Sequence, residues 1–203
     1  MTMRVVLICG SLASLLIMTA NAASAEREPR TVAVATPSAI AKVALINPGF
    51  ESDIRRADGG AEGWSGTQHA GETSYRFAVD PAIKRSGTRS LRVDNVGGEP
   101  YGAIEQAVSV ASLAGRKVRF SGWLKTRGAD GVGASLMMLV DGSGGILANN
   151  FMAGSEATGS RDWQRYSITL AIPTNASGLR VGVMLQGAGT VWFDDAELEI
   201  IGP

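Results

Sequence analysis

The stretch GTVWFDDAELEI, from Gly189 to Ile200, decides the fold class, because apolar and polar residues alternate in it as in a β-strand. At period two, one face of this strand carries four apolar side chains: Trp192, Ala196, Leu198 and Ile200. Asp194 falls on the same face, where a carboxylate is costly unless hydrogen bonds or a cation stabilise it. We therefore expect a partner for Asp194 upstream, in NPGFES (Asn47–Ser52), and expect the two stretches to close one β-sandwich.

The first 25 residues have the organisation of a secretory signal peptide. Arg4 supplies a positive charge, Val5–Ala20 is apolar, and Ala23-Ser24-Ala25 offers a small-residue cleavage site. The apolar run is shorter than the ~20 residues that a membrane span needs, although an uncleaved N-terminal anchor remains the alternative. The sequence predicts a signal peptide over residues 1–25, a secreted or periplasmic chain, and no membrane span once the signal is removed.

Charge and cysteine content narrow the function classes. The chain has 19 basic and 19 acidic residues, and its one cysteine, Cys9, lies in the signal run. A near-neutral chain without a basic cluster argues against nucleic acid or an anionic membrane as the partner. Residues 26–41 show no sustained periodicity, so we expect a flexible segment there. Residues 42–203 are predicted to form one domain.

Short strand-like runs follow one another through this domain, separated by glycine-rich turns. They lie at residues 74–80, 88–94, 101–110, 116–126, 133–141, 164–172 and 178–186, before the stretch that ends at Ile200. No run shows a helical stripe. Even spacing and 26 glycines indicate an all-β, two-sheet antiparallel β-sandwich.

The alternation assigns faces within several runs. In 116–126, the side of Val118, Phe120 and Leu124 is the predicted core side, and the opposite side carries Arg119, Ser121, Trp123 and Lys125. The run 133–141 is different, because Met137 and Leu139 make its second side apolar as well. Such a strand is either covered on both sides or contributes to a binding surface.

The order of these signals resembles a known family. NPGFE, IKRSGTRSLRV, AIEQAV, GRKVRFSGWLKT, DWQRYSITLAIP and GTVWFDDAELE follow one another as in galactose-binding-domain-like jelly rolls. The chain is similar to carbohydrate-binding modules of families four and nine, and to the related accessory domains of tail-processing-type serine peptidases. The resemblance covers roughly residues 44–201 and implies a jelly roll of nine or ten strands.

The resemblance also implies a structural calcium ion that links the start of the fold to its last strand. The matching positions are Glu51, Asp194 and Asp195, whose oxygens suit Ca²⁺. The alternative is that Asp194 accepts hydrogen bonds from N–H groups of the Asn47-Pro48-Gly49 turn without any metal.

No catalytic constellation stands out. His69 is the single histidine and lies in a polar loop, and no Gly-x-Ser-x-Gly elbow surrounds a serine. Asp194 and Asp195 are adjacent, so on a regular strand they point to opposite faces and cannot form a facing acid–base pair. We therefore predict a non-catalytic binding module.

Trp123 is the predicted platform for a sugar ring, because it lies on the polar side of its strand; the alternative is that it packs beneath a loop. The other predicted ligand-binding residues are Arg119, Lys125, Met137, Asn150 and Gln186. Trp64, Tyr75 and Tyr101 are predicted at the rim. At Met137 and Leu139, related accessory domains tend to carry an aromatic and a basic residue.

The alternative hypothesis is an envelope protein–protein interaction domain. It would use Met137, Leu139 and Met184 as a contact patch.

Overall fold

The computed structural model describes residues 40–54 and 56–203, and all regular structure in them is β. The signal peptide predicted over 1–25 and nearly all of the segment predicted to be flexible lie outside the described residues, although Ala41 already belongs to a strand. The described chain contains no helix with the length and apolarity needed to cross a bilayer.

Ten strands make up the described fold. They are β1 (Ala41–Val43), β2 (Ser65–Gln68), β3 (Tyr75–Asp80), β4 (Ser90–Asn95), β5 (Tyr101–Val108), β6 (Lys117–Gly142), β7 (Gly145–Asn150), β8 (Ala157–Ala171), β9 (Gly178–Gln186) and β10 (Thr190–Gly202). The predicted all-β class is confirmed. The sequence patterns missed β1, β2 and β7 as strands, and β8 begins seven residues earlier than the predicted run at 164.

Two predicted runs, 116–126 and 133–141, are parts of the single strand β6. Its first part pairs with β10 and β8, and its second part pairs with β9 and β7. Between the parts, Gly128, Gly131 and Gly133 have φ of 56°, 85° and 99°, a region that glycine enters without steric cost. The chain bends there and passes from one layer of the sandwich to the other.

Because β6 belongs to both layers, the hydrogen-bonded ladder is continuous in the order β2-β5-β9-β6-β10-β4-β3. We call the layer of β3, β4, β10, β1, β8 and the first part of β6 sheet I. The layer of β2, β5, β9, β7 and the second part of β6 is sheet II. All pairs are antiparallel. Two such layers form the predicted jelly-roll sandwich.

The core lies between the inner faces of the sheets. From β6 it contains Val118, Phe120 and Leu124, as the alternation predicted, and also Leu136, Met138 and Val140. Phe193 is at the centre of an aromatic cluster, with ring centroids 5.5 Å from Phe50, 5.8 Å from Trp64 and 6.1 Å from Phe120. The NPGFE motif and the last strand therefore meet through aromatic rings.

The backbone also joins the motif to the last strand. The Ala196 N–H donates to the carbonyl oxygen of Pro48 at 2.9 Å. The Trp64 indole N–H donates to the Ile46 carbonyl at 2.9 Å. The Gln106 side chain accepts from the Ile46 N–H and donates to the Ile46 carbonyl, both at 2.8 Å. The bond between Ala196 and Pro48 makes the contact that was predicted for Asp194, and the bonds from Trp64 and Gln106 hold Ile46, just before the motif.

A β-bulge at Asp195 changes the predicted faces of β10. Asp195 has φ of 50°, and the pairing of β10 with β6 shifts between Asp194 and Glu197. The extra residue inverts the alternation. Trp192 and Asp194 therefore lie on the outer face of sheet I, whereas Ala196 and Leu198 lie in the core. The prediction that all four share one face is wrong.

Candidate functional site

The outer face of sheet I carries Trp123, the predicted platform. Trp123 lies opposite Arg165 of β8 on one side and opposite Asp194 of β10 on the other. Arg119 and Lys125 lie on the same face, because β6 alternates regularly here. The sequence placed these three ligand-binding candidates on one side of one strand, and the structure agrees.

A cleft of about 690 Å³ opens beside Trp123. Its lining residues come from the start of the domain and from β6, β8 and β10. They include Lys42, Pro48, Trp123, Arg165, Asp195 and Glu197. We call it the Trp123 cleft. An aromatic side chain next to charged groups is the combination that sugar recognition needs, since the ring contacts the apolar face of the sugar and charged groups bond to its hydroxyls.

The charged side chains of the Trp123 cleft are held by ion pairs. Glu197 accepts from the Lys42 ammonium at 2.9 Å and from the Arg165 guanidinium. The hydrogen bond from Lys42, followed by the charges of Lys42 and Arg165, lowers the pKa of Glu197. Glu197 therefore stays ionised near neutral pH. Farther along the same face, Arg119 pairs with Glu199 at 2.8 Å.

Arg85 covers part of the Trp123 ring. Its guanidinium carbon lies 4.3 Å from the ring centroid, which is the geometry of a cation–π contact. Arg85 does not line the Trp123 cleft, whereas Trp123 does. The indole therefore has one part in contact with Arg85 and another part exposed in the cleft. The loop between β3 and β4 therefore helps to fix the orientation of the platform.

The carboxylate of Asp194 fastens this loop. One oxygen accepts from the N–H groups of Arg85 at 2.9 Å and Ser86 at 3.2 Å, and the other accepts from the Asp195 N–H at 2.8 Å. Asp194 is fully buried, and burial raises its pKa to about 6 against the opposing effect of these hydrogen bonds. Asp194 thus does accept backbone N–H groups, but they belong to the β3–β4 loop and not to the predicted NPG turn.

Glu51 and Asp195 bind the same loop. Glu51 accepts from the Thr88 N–H at 2.9 Å, the Thr88 hydroxyl and the Arg89 N–H at 3.2 Å. Asp195 accepts from the Ser86 hydroxyl at 2.6 Å. Along the described chain, no three His, Cys, Asp or Glu side chains are grouped so as to hold a metal ion. N–H groups or a hydroxyl of the β3–β4 loop donate to each of these three carboxylates. A calcium ion would have to replace those hydrogen bonds, and it stays an untested prediction.

The remaining ligand-binding candidates lie elsewhere. Met137 and Gln186 are on the outer face of sheet II, which points away from the outer face of sheet I. Asn150 is opposite Met138, a core residue, and its amide donates to the Thr169 carbonyl at 3.1 Å. The six predicted residues therefore do not form one surface, because Arg119, Trp123 and Lys125 lie on the outer face of sheet I and Met137 and Gln186 lie on that of sheet II.

The outer face of sheet II carries a second apolar cluster, separate from the core. Ala103, Met137, Leu139 and Met184 form it, with Tyr101 and Phe151 half-buried beside it. This confirms that β6 is apolar on both sides in its second part. Met137 is only 3% exposed and Met184 only 7%, so the predicted contact patch offers little accessible area of its own.

Two of the predicted rim aromatics are core residues. Trp64 is fully buried and Tyr75 is 2% exposed, so neither borders a groove. Tyr101 alone lies at the surface, beside His69, whose Nδ1 is 2.9 Å from the Glu99 carboxylate. His69 is a half-exposed loop residue, as predicted.

Comparison with known proteins identifies the family and the fold of the chain. Residues 43–191 match the family described as "Carbohydrate binding domain" (CBM_4_9), which is most of the chain. The chain belongs to this family of carbohydrate-binding domains. The predicted recognition is therefore confirmed for the family and for the jelly-roll fold.

Relatives of the domain occur in different settings. A curated relative, the uncharacterized HTH-type transcriptional regulator YbfP of Bacillus subtilis (strain 168), is 32% identical over 112 residues, which are 55% of this chain. Because the match spans only 37% of that protein, the two chains share a segment and not a whole architecture.

Solved structures show the same fold at low identity. The CBM22-1 xylan-binding domain of Paenibacillus barcinonensis Xyn10C has a TM-score of 0.56 at 12% identity, covering 76% of this chain and 92% of that one. A cyclase from Fischerella sp. TAU, in complex with 4-(1H-indol-3-yl)butan-2-one, has a TM-score of 0.60 at 14% identity, covering 80% and 98%. The fold thus occurs both in a xylan-binding domain and in a cyclase.

Sequence reasoning missed several residues of this carbohydrate-binding domain that line or flank the Trp123 cleft. They are Lys42, Arg85, Arg165, Asp195 and Glu197, of which Asp195 was predicted only as a calcium ligand. Alternation within the run 164–172 puts Arg165 on the side opposite the apolar Tyr166 and Ile168, so pairing that run with β6 would have found it. No local sequence pattern predicts that Arg85 lies beside Trp123, because its position depends on the hydrogen bonds between Asp194 and the β3–β4 loop.

Proposed function

We propose that this chain is an exported, non-catalytic carbohydrate-binding module whose glycan lies in the Trp123 cleft. The observation that carries the proposal is the cleft of about 690 Å³, in which an indole adjoins the Arg165–Glu197–Lys42 ion pairs. A pyranose ring would stack on the indole surface that Arg85 leaves open. The ion-paired groups would bond to its hydroxyls, with Arg119 and Lys125 farther along the same face.

The electrostatics of the cleft favour binding over catalysis. A general acid needs a carboxyl whose pKa is raised towards the working pH. Glu197 has the opposite property, since its hydrogen bond with Lys42 lowers its pKa. Asp195 is occupied by the Ser86 hydroxyl. Neither carboxyl in the cleft lining therefore suits a general acid, and Asp194, whose pKa is raised, is fully buried and does not line the cleft.

Glycan screening followed by calorimetry would test this proposal. For a glycan that binds the mature protein, Trp123→Ala should weaken binding roughly tenfold or more, because a stacked aromatic contributes on the order of 1–2 kcal/mol. Tyr101→Ala is the matched control, since Tyr101 lies on the opposite outer face. Loss of binding in Tyr101→Ala with full binding in Trp123→Ala would move the site to sheet II.

Export is the second part of the proposal, and residues 1–25 support it through their charged start, apolar run and Ala-Ser-Ala site. The mature chain would act in the envelope or outside the cell. Expression of the full chain, fractionation and intact-mass measurement should give a product that begins at Glu26. A product that retains Met1 in the membrane fraction would support the uncleaved anchor instead.

An envelope protein partner remains the alternative. It is favoured by the apolar cluster of Met137, Leu139 and Met184, which lies outside the core. Contact there would also involve Tyr101 and Phe151, which are half-buried at its edge. Cross-linking in intact cells should then capture one partner, and Met137→Asp should abolish its capture. An unchanged partner in that variant would remove this alternative.

A further inference from the structure

A second cleft, of about 370 Å³, lies on the outer face of sheet I. We call it the basic cleft. Its lining residues are Ile83, Lys125, Thr126, Arg127, Ser160, Arg161, Asp162 and Trp192. It holds three cationic side chains and one carboxylate, whereas the Trp123 cleft contains two of each.

The three cations of the basic cleft are not equally neutralised. Lys125 donates to Asp162 at 2.8 Å, and this hydrogen bond lowers the pKa of Asp162. Arg127 and Arg161 have no carboxylate partner in the part of the chain that the structure describes. Arg127 lies 5.2 Å from the centroid of the Trp192 ring, and Arg161 donates through Nε to the Thr158 carbonyl at 2.9 Å.

Four arginines elsewhere on the outer faces are paired with acids, whereas the exposed Arg76 of β3 forms no ion pair with a described residue. Arg92 pairs with Asp80 and Asp94, Arg119 with Glu199, Arg165 with Glu197, and Arg180 with Glu105 and Asp141. Arg127 and Arg161 share one cleft whose one carboxylate, Asp162, is bonded to Lys125, so the two guanidiniums form a local excess of positive charge. Each guanidinium has five N–H donors in a planar fork that suits a carboxylate or sulfate.

The two clefts lie along one strand. The side chains of Trp123, Lys125 and Arg127, each two residues from the next, all lie on the outer face of β6. Lys125 and Arg127 also line the basic cleft. At about 3.3 Å per residue, Arg127 lies roughly 13 Å along the strand from Trp123. An oligosaccharide stacked on Trp123 would therefore extend over the basic cleft.

We propose that the ligand is an acidic glycan, with a uronate carboxylate or a sugar sulfate bound between Arg127 and Arg161. This inference rests on the proposed glycan site at Trp123 and adds its chemical class. Trp192 forms the apolar floor of the basic cleft and is held in place by its indole N–H, which donates to Asp80 at 2.8 Å. The anionic group would replace the missing acid partner of the two arginines.

The test compares each acidic glycan with its own neutral form. Suitable pairs are oligogalacturonate and its methyl ester, alginate oligomers and their carboxyl-reduced form, and heparin fragments and their desulfated form. At low salt, at least one acidic member should bind roughly tenfold more tightly than its neutral counterpart. Because the contact is between exposed charges, this preference should shrink as NaCl is raised.

Variants then locate the contact. Arg127→Gln and Arg161→Gln should each weaken binding of that acidic glycan roughly tenfold and leave binding of the neutral form unchanged. Arg116→Gln is the matched control, because this exposed arginine precedes the other end of β6 and its side chain donates to the Gly202 carbonyl. Both cleft arginines are exposed, so thermal melts of all three variants should match that of the wild type.

Three results would count against the inference, and they separate it from the proposed function. Equal binding of every acidic and neutral pair would overturn the acidic class while carbohydrate binding stands. An acidic preference that survives both arginine changes would overturn the assignment to the basic cleft. Absence of binding to all acidic and neutral glycans tested would overturn both proposals.

Discussion

Replacing Asp194 with asparagine should remove a defined pH dependence from the stability of the protein. Asp194 is fully buried on the outer side of β10, under the β3–β4 loop. The Asp194→Asn variant keeps the size of the side chain and one accepting oxygen, but it has no charge at any pH. Comparing the two proteins therefore isolates the ionisation of this one carboxyl.

The direction follows from the raised pKa. In the folded protein the pKa of Asp194 is about 6, compared with an ordinary value of 3.8. Between these pH values the unfolded chain has lost the proton that the folded chain keeps. The contribution of Asp194 to stability is therefore complete below pH ~4 and is lost as pH rises through about 6. At ~1.4 kcal/mol per pKa unit, the full change is about 3 kcal/mol.

Urea unfolding from pH 4 to pH 7.5 would measure this contribution. The free energy of unfolding of the wild type minus that of Asp194→Asn should fall by about 2.5 kcal/mol across the range, mostly between pH 4.5 and 6.5, because the unfolded carboxyl is already half-ionised at pH 4. Asp162→Asn is the matched control, because Lys125 lowers the pKa of that exposed carboxyl and any effect must have the opposite sign. A difference for Asp194→Asn that stays constant over the range would refute the reasoning.

Three further outcomes are expected. Melting midpoints in calcium and in excess chelator should coincide, because the three carboxylates predicted to bind calcium accept hydrogen bonds from the β3–β4 loop; a higher midpoint in calcium would restore the metal. Phe193→Ala should lower the free energy of unfolding in urea by ~3–5 kcal/mol, since Phe193 is fully buried, and a loss below 1 kcal/mol would contradict its place in the core. Gly182→Ala should lower the melting midpoint strongly, because its Cβ would lie 2.0 Å from the Ile104 carbonyl oxygen. Gly98→Ala, which meets nothing within 4 Å, should not.

Much of the fold was predictable because it depends on local alternation. The core side of the first part of β6 and the bounds of β9 follow from side-chain periodicity within one strand. β2 was not predicted as a strand, because none of its four residues, SGTQ, is apolar. Periodicity cannot detect a strand of this kind, whose place is fixed by pairing with β5.

The candidate site was less predictable because it combines residues from distant segments. Trp123 could be chosen from its own strand, and Arg119 and Lys125 followed from the same alternation. Met137 was added without knowing that β6 changes layer at its glycines, which puts it on the opposite outer face. Alternation gives the side of a strand, but the layer to which the strand belongs depends on the tertiary fold.

The two aspartates of β10 show how one β-bulge changes the predicted positions of the side chains on both sides of it. Without the bulge at Asp195, the face that carries Ala196 would also carry Asp194 into the core. With it, Asp194 points outward to the N–H groups of the loop that carries Arg85, and the Ala196 N–H bonds to Pro48. The same extra residue puts Asp195 into the lining of the Trp123 cleft. The bulge therefore lets the Ala196 backbone bond to the start of the domain, while the carboxylates of Asp194 and Asp195 bond to the loop beside the proposed sugar platform.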